Sequence, residues 1–300
     1  MVYRNPGNGA NDGIGGVYHS LPGPQRLARG GTFGAMQPVV CCDLDGVVWR
    51  GDDPIDGSAD AVARLRSAGL RVVFVTNNSN ATRATYVAKL ARHGVPTVDA
   101  DLLTSAGAAA ELLADRLDRG AAVLVCGGPG LREACAERAL TVVDDGPAAA
   151  VVVGWHREFD FERLRVAADA VRNGAWFVAT NDDPTYPGAG GTVLPGNGSI
   201  VAAVATASGQ RPVVAGKPNE AMVALVRRHC GDHGIMIGDR VSTDGAFAAA
   251  LGWPFGLVRS GIAGSVGGEA VPDHGTQWVA DDLAALVGAI LESPQVRAVS

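Results

Sequence analysis

Four polar clusters in this chain directly follow apolar runs, and their side chains are of the kinds that handle phosphate and a hard cation. Asp43-Leu44-Asp45-Gly46 follows Pro38-Val39-Val40-Cys41-Cys42, so two carboxylates two residues apart stand where a buried strand should end. Side chains at i and i+2 share a strand face, and where strand gives way to loop both can aim at one bound group. Acids so crowded repel each other unless a cation neutralises them or one keeps its proton. Gly46 lets the backbone turn sharply and bring N–H groups toward an anion. Thr76-Asn77-Asn78-Ser79 follows an apolar run at 70–75, offering hydroxyls and amides at a helix entrance, a good phosphate cradle. Lys217, in Gly216-Lys217-Pro218 after a run at 213–215, can neutralise an anion as a point charge. Asp239 and Asp244 follow Gly-Ile-Met-Ile-Gly at 234–238, and oxygen-only acidic ligands suit magnesium.

Each cluster has a plain alternative: an acidic strand cap, a helix N-cap, a solvated lysine, a polar turn. Together, all at the carboxyl ends of strands, they make a set for metal-assisted phosphoryl transfer.

The elements that must position them alternate. Strands are expected at 38–42, 70–75, 121–126, 149–153, 175–179, 213–215, 234–238 and 255–258. Helices are expected at 58–68, 82–93, 106–118, 130–139, 161–172, 219–229 and 281–291. Short apolar runs flanked by helices imply parallel sheets covered on both faces, with ligands beyond the carboxyl ends of the strands. The expected class is α/β, a doubly wound parallel-sheet core. The stretch from Thr76 to Lys217 is far longer than one crossover needs and holds its own strands and helices. It predicts an inserted second domain at 118–210, with 36–117 and 211–300 forming the core. Residues 1–35, rich in Gly, Pro and Asn, read as a disordered extension, or as a segment before a true start at Met36.

Composition narrows the function. The 300 residues are 47% hydrophobic and 19% charged, enough for one large core or two smaller ones. A net charge of −6 without a basic stripe disfavours a nucleic-acid partner. No apolar run approaches the ~18 residues that span a bilayer, and no secretory pattern opens the chain. Five cysteines, none in a C-x-x-C spacing, point to a reducing cytoplasm and no thiolate metal site. The six histidines match no motif and are expected mostly at the surface.

The order Asp43-x-Asp45-Gly46, Thr76-Asn77-Asn78, Lys217-Pro218 and Gly238-Asp239-x4-Asp244 resembles the haloacid dehalogenase-like hydrolases, a Rossmann-like superfamily. More narrowly, it resembles the branch with NagD-like proteins and phosphoglycolate, glycerol-phosphate and pyridoxal phosphatases. Ala179-Thr180-Asn181, Leu194-Pro195-Gly196-Asn197-Gly198 and Val258-Arg259-Ser260-Gly261 support it, and the likeness runs from about residue 37 to the carboxyl end.

The resemblance implies a Mg²⁺-dependent phosphatase of small phosphorylated metabolites. Asp43 would be the nucleophile that forms an aspartyl-phosphate, and Asp45 the acid and then the base. Asp43, Asp239 and the main-chain carbonyl of Asp45 would hold the metal. Gly46, Thr76 and the amides around Asn77 and Asn78 would bind phosphate, Lys217 would offset its charge, and Asp244 would orient Lys217 or bind a metal-held water. The insertion would be an α/β cap that closes over the site, reaching the substrate with Asn181 or Tyr186, and relatives suggest a homodimer through the cap. An ordinary turn is the rival reading of 181–186. Ser242 stands where relatives often carry an acid, Gly245 and Ala248 depart from the pattern nearby, and Tyr186 stands where pyridoxal phosphatase has a histidine. Competing readings are a receiver-like domain, a sugar phosphomutase and a binding-only protein. Asp45 and the insertion argue against the first, and the eleven residues between Gly46 and helix 58–68 leave no room for the second's cap. The intact acids and Lys217 speak against the third.

Overall fold

A computed structural model describes residues 38–187, 192–261 and 276–293. The expected extension over 1–35 lies outside these residues. The first sheet takes β1 (Val39–Cys42), β4 (Arg71–Thr76), β5 (Leu102–Thr104), β13 (Gly234–Gly238), β14 (Phe255–Val258) and β15 (Thr276–Ala280). Its order is β15-β14-β13-β1-β4-β5, and every pairing is parallel.

Strand alternation explains why this sheet is covered twice. Val39 and Cys41 face a layer made by α3 (Ser105–Ala114), α7 (Glu220–Cys230) and α8 (Ala246–Leu251). Val40 and Cys42 face α1 (Ser58–Ser67), α2 (Arg83–Arg92) and α9 (Leu283–Glu292). Both faces of β1 are fully buried, which is why its sequence is a continuous apolar run rather than an alternating one. Side-chain caps fix several helix starts: Thr82 accepts from Thr85 N, Thr104 from Gly107 N and Asp282 from Ala285 N.

The second sheet is also parallel, with β6 (Ala122–Cys126), β7 (Thr141–Val143), β8 (Ala150–Val153), β9 (Trp176–Ala179) and β12 (Val213–Val214) in the order β12-β9-β8-β6-β7. Leu124, Cys126, Val151 and Val153 pack against α5 (Phe161–Arg172) and α6 (Asn197–Ser208). On the other face, Val123, Val125 and Val152 join Leu131 and Cys135 of α4 (Pro129–Glu137) and the α3 layer. β12 lies beyond the 210 limit drawn for the insertion. The polar residues Gln210-Arg211-Pro212 look like an exit, but Val213 and Val214 pair with Val178 and Ala179 as the edge strand of the second sheet. Two hairpins complete the described strands: β2 (Trp49–Arg50) with β3 (Asp53–Pro54), and β10 (Thr185–Pro187) with β11 (Val193–Pro195).

The five cysteines are buried free thiols. No helix among the described residues is long and apolar enough to cross a membrane. His156 departs from the expected surface placement: it is buried, with Nδ1 2.9 Å from Gly154 O.

Candidate active site

Asp43 is buried at the end of β1, its N–H still bonded to Ile237 O of β13 at 2.9 Å. The chain then reverses: Val48 N donates to Leu44 O at 2.8 Å and Gly46 N to Trp49 O at 2.7 Å. Gly46 has φ of 84°, and a Cβ there would come within 2.5 Å of Asp239 Oδ2. Both the turn and the neighbouring carboxylate therefore require glycine. Gly261 closes on the same oxygen, where a Cβ would lie 1.9 Å away.

Lys217 unites three of the four clusters. Its Nζ donates to Asp43 Oδ1 at 2.7 Å, to Asp244 Oδ1 at 2.6 Å and to Val75 O at 3.0 Å, which accounts for all three ammonium protons. Asp244 Oδ2 accepts from the backbone N–H groups of Asp239 and Arg240 at 3.2 and 3.1 Å. Asp244 thus aims the lysine while its own carboxylate is held by the turn after β13.

Asp43, Asp239 and Asp244 each offer an oxygen within 4.8 Å of the others, and all three are buried. Burial raises the Asp43 carboxyl well above its ordinary value, the carboxylates of Asp244 and Asp239 add to the rise, and Lys217 opposes it. Burial alone would depress the Lys217 ammonium, but Asp244 and Asp43 outweigh it and hold the amine above the usual lysine value. Three buried carboxylates gathered beside one ammonium make an all-oxygen set that fits a hard divalent cation such as magnesium.

Asp45 is half-buried, and its Oδ1 accepts from Trp49 Nε1 at 2.9 Å. Burial raises this carboxyl too, against the lowering effects of Trp49 and Lys89. Thr76 Oγ1 accepts from Asn78 N at 3.1 Å. The Asn77 side chain is committed to the frame: Nδ2 donates to Asp183 Oδ2 at 3.0 Å and Lys217 O at 3.1 Å, and Oδ1 accepts from Lys217 N at 2.8 Å. Asn181, beyond β9, likewise donates to Asn77 O at 2.7 Å. Tyr186 brings its hydroxyl to 3.5 Å from both Asp45 Oδ1 and Asn78 Nδ2.

Asp43, Asp45, Thr76, Asn77, Asn78, Asn181, Tyr186, Lys217, Asp239 and Asp244 all line one cavity of about 80 Å³, and Gly46 backs it behind Asp239. Other lining residues, among them Trp155, Asp183 and Arg240, were given no role of their own by sequence reading. Trp155 stacks on Tyr186 with ring centroids 5.2 Å apart, and Arg240 lies 3.5 Å from Asp183. Trp155 comes two residues after β8, so the same strand-end rule pointed to it. Ser242 is exposed, and the side chain of its turn that enters the buried cluster is Asp244.

Residues 40–141 match the family model of haloacid dehalogenase-like hydrolases, and residues 214–286 match a second, HAD-hydrolase-like model. The chain is 41% identical over 224 residues to D-glycerol 3-phosphate phosphatase of Mycobacterium tuberculosis, a match covering 73% of this chain and 62% of that one. It is 36% identical to human chronophin over 249 residues, 77% of this chain and 84% of that one. The crystal structure of the M. tuberculosis glycerol phosphate phosphatase in complex with magnesium superposes with a TM-score of 0.74 at 38% identity, over 83% of this chain and 76% of the other. The chain belongs to the haloacid dehalogenase-like hydrolases, in the branch of the NagD-like phosphatases.

Proposed function

We propose that this chain is a magnesium-dependent phosphatase of small phosphate monoesters that works through an aspartyl-phosphate. The observation that carries this is the buried Asp43 carboxylate, held at one oxygen by Lys217 and flanked by Asp239 and Asp244. Asp43 is the carboxylate that would attack phosphorus. Asp43 and Asp239, with the main-chain carbonyl of Asp45, would hold the magnesium. When bound, it supplies positive charge beside the three carboxylates and draws charge from the phosphate oxygens.

The Asp43 O–P bond forms as the bond from phosphorus to the leaving oxygen breaks, and that oxygen takes a proton from Asp45. Water then attacks phosphorus and gives its proton to Asp45, and the Asp43 O–P bond breaks to release phosphate. Thr76 and the backbone N–H groups after it would cradle the phosphate, with Lys217 offsetting its charge. Every acid and base needed is a residue of this chain.

The inserted lobe acts as a cap in this reading. Asp183 bonded to Asn77, and Tyr186 beside Asp45, tie it to the core over the phosphate, and Trp155 with Tyr186 walls the leaving-group side. The cavity, about 80 Å³, favours a small leaving group. Glycerol phosphate is the first candidate, the substrate class of the relative from M. tuberculosis. Five free thiols suit a reducing cytoplasm.

A phosphate-release screen over glycerol phosphate, phosphoglycolate, sugar phosphates, nucleotides and pyridoxal phosphate tests the function. Release from glycerol phosphate or another small ester with magnesium, abolished by a chelator, is expected. Release from none of them contradicts the proposal.

A further inference from the structure

We infer that Trp49 is a positioning residue for the acid: its indole N–H holds Asp45 Oδ1, so that Oδ2 is the oxygen that hands its proton to the leaving group. The inference rests on the proposed role of Asp45 as general acid. Trp49 Nε1 lies 2.9 Å from Asp45 Oδ1, and an indole N–H can only donate. A proton on Oδ1 would face that N–H with no acceptor between them, so the acid proton is directed to Oδ2. The Tyr186 hydroxyl, 3.5 Å from the same Oδ1, adds a second donor on that side.

The ring is placed to act as a fixed arm. Trp49 is 1% exposed, and its backbone carbonyl closes the turn by accepting from Gly46 N at 2.7 Å. The Lys89 ammonium lies 4.3 Å from the ring centroid, itself held by Gly51 O at 2.5 Å and Asp52 at 3.4 Å. A cation over the ring face draws on its π density and polarises the N–H toward Asp45. The ordinary account is that a buried tryptophan merely finds a partner for its N–H. The two accounts differ in what happens when the N–H alone is removed.

In the step concerned, the proton leaves Asp45 Oδ2 for the bridging oxygen as its bond to phosphorus breaks. Alkoxide leaving groups need that proton, whereas a nitrophenolate leaves without it. The experiment measures kcat/KM, which covers the steps through departure of the leaving group, for glycerol phosphate and p-nitrophenyl phosphate. Wild type, Trp49→Phe, Asp45→Asn and the double variant are compared. Trp49→Phe keeps a ring in the core near Lys89 and removes the donor along with part of the buried ring volume, and a packing loss of that kind should weigh on both esters alike.

Trp49→Phe should lower kcat/KM at least about tenfold on glycerol phosphate and less than about threefold on p-nitrophenyl phosphate, and should cost nothing more in the Asp45→Asn background. No loss, equal loss on both esters, or the same loss with Asp45 already replaced overturns the inference. If Asp45→Asn itself fails to discriminate between the esters, the assignment of the acid fails, a result distinct from failure of Trp49 alone. Should Trp49→Phe not fold, 3-benzothienylalanine in place of Trp49, which swaps the N–H for sulfur and keeps both rings, carries the same readout. A loss confined to glycerol phosphate supports the inference, and an equal loss on both esters or none overturns it.

Discussion

The Lys217 ammonium stands 2.6 Å from Asp244 Oδ1, on a carboxylate whose other oxygen is fastened by two backbone N–H groups. The lysine is therefore aimed rather than merely present, and its remaining bonds reach Asp43 and Val75 O. Replacing it by Lys217→Met would leave Asp43 and Asp244 buried with no cation between them. In a chelator, thermal unfolding should show a loss of about 3–5 kcal/mol, part of it regained on adding magnesium. Phosphate release should fall at least about 100-fold. Stability unchanged in the chelator would mean that the cluster is not charged as described.

Gly261 offers a test of Asp239 that leaves the carboxylate itself in place. Its Cβ in Gly261→Ala would need to occupy space 1.9 Å from Asp239 Oδ2, so the carboxylate must swing away. The magnesium concentration for half-maximal activity should rise about 10–100-fold, with little change in rate at saturating metal. A magnesium titration that superposes on wild type would place Asp239 outside the metal site.

Acid should relieve the buried carboxylate. Burial raises the Asp43 carboxyl well above its ordinary value of 3.8, so the folded protein keeps that proton at pH values where the unfolded chain has lost it. Between 3.8 and the raised value, the folded state binds more protons, and stability falls as pH rises. With a chelator present, the gain in melting temperature from Asp43→Asn should be largest at alkaline pH and shrink on acidification. Magnesium, by stabilising the ionised form, should flatten that difference. A gain that grows on acidification would reverse the sign and refute the burial argument.

If the inserted lobe caps the site as proposed, its closure should depend on Asp183, which accepts from Asn77 at 3.0 Å and faces Arg240 at 3.5 Å. Asp183→Ala removes both partners, and a charged hydrogen bond is worth about 1.5–3 kcal/mol. The expected result is a kcat/KM lower by roughly tenfold or more, carried more by KM than by kcat, with faster amide exchange around Lys217. Unchanged KM would show that the lobe is held elsewhere.

The candidate site was legible because it obeys a one-dimensional rule: Asp43, Thr76 and Asp239 each stand at the carboxyl end of a buried apolar run. The longer helices were legible from periodicity, and α5 spans Phe161–Arg172 as expected. Shorter pieces were not. β5, at Leu102–Thr104, is too brief to show a pattern, and its pairing with β4 makes it a strand. α6 buries Asn197, Ile200, Val201, Val204 and Ser208 at helical spacing, yet its early glycine and branched residues argue locally against a helix. Asp183 and Arg240 were hidden for a different reason. They meet between the segment after β9 and the turn after β13, fifty-seven positions apart, and no local pattern reports such a contact.

Covalent trapping at Asp43 tests the mechanism most directly. The protein would be mixed with magnesium and glycerol phosphate, quenched in acid, reduced with borohydride and digested for peptide mass spectrometry. Conversion of Asp43 to homoserine, absent without substrate, is the predicted result, because an acyl phosphate reduces where a free carboxylate does not. Sustained turnover with Asp43 unmodified would contradict the aspartyl-phosphate route.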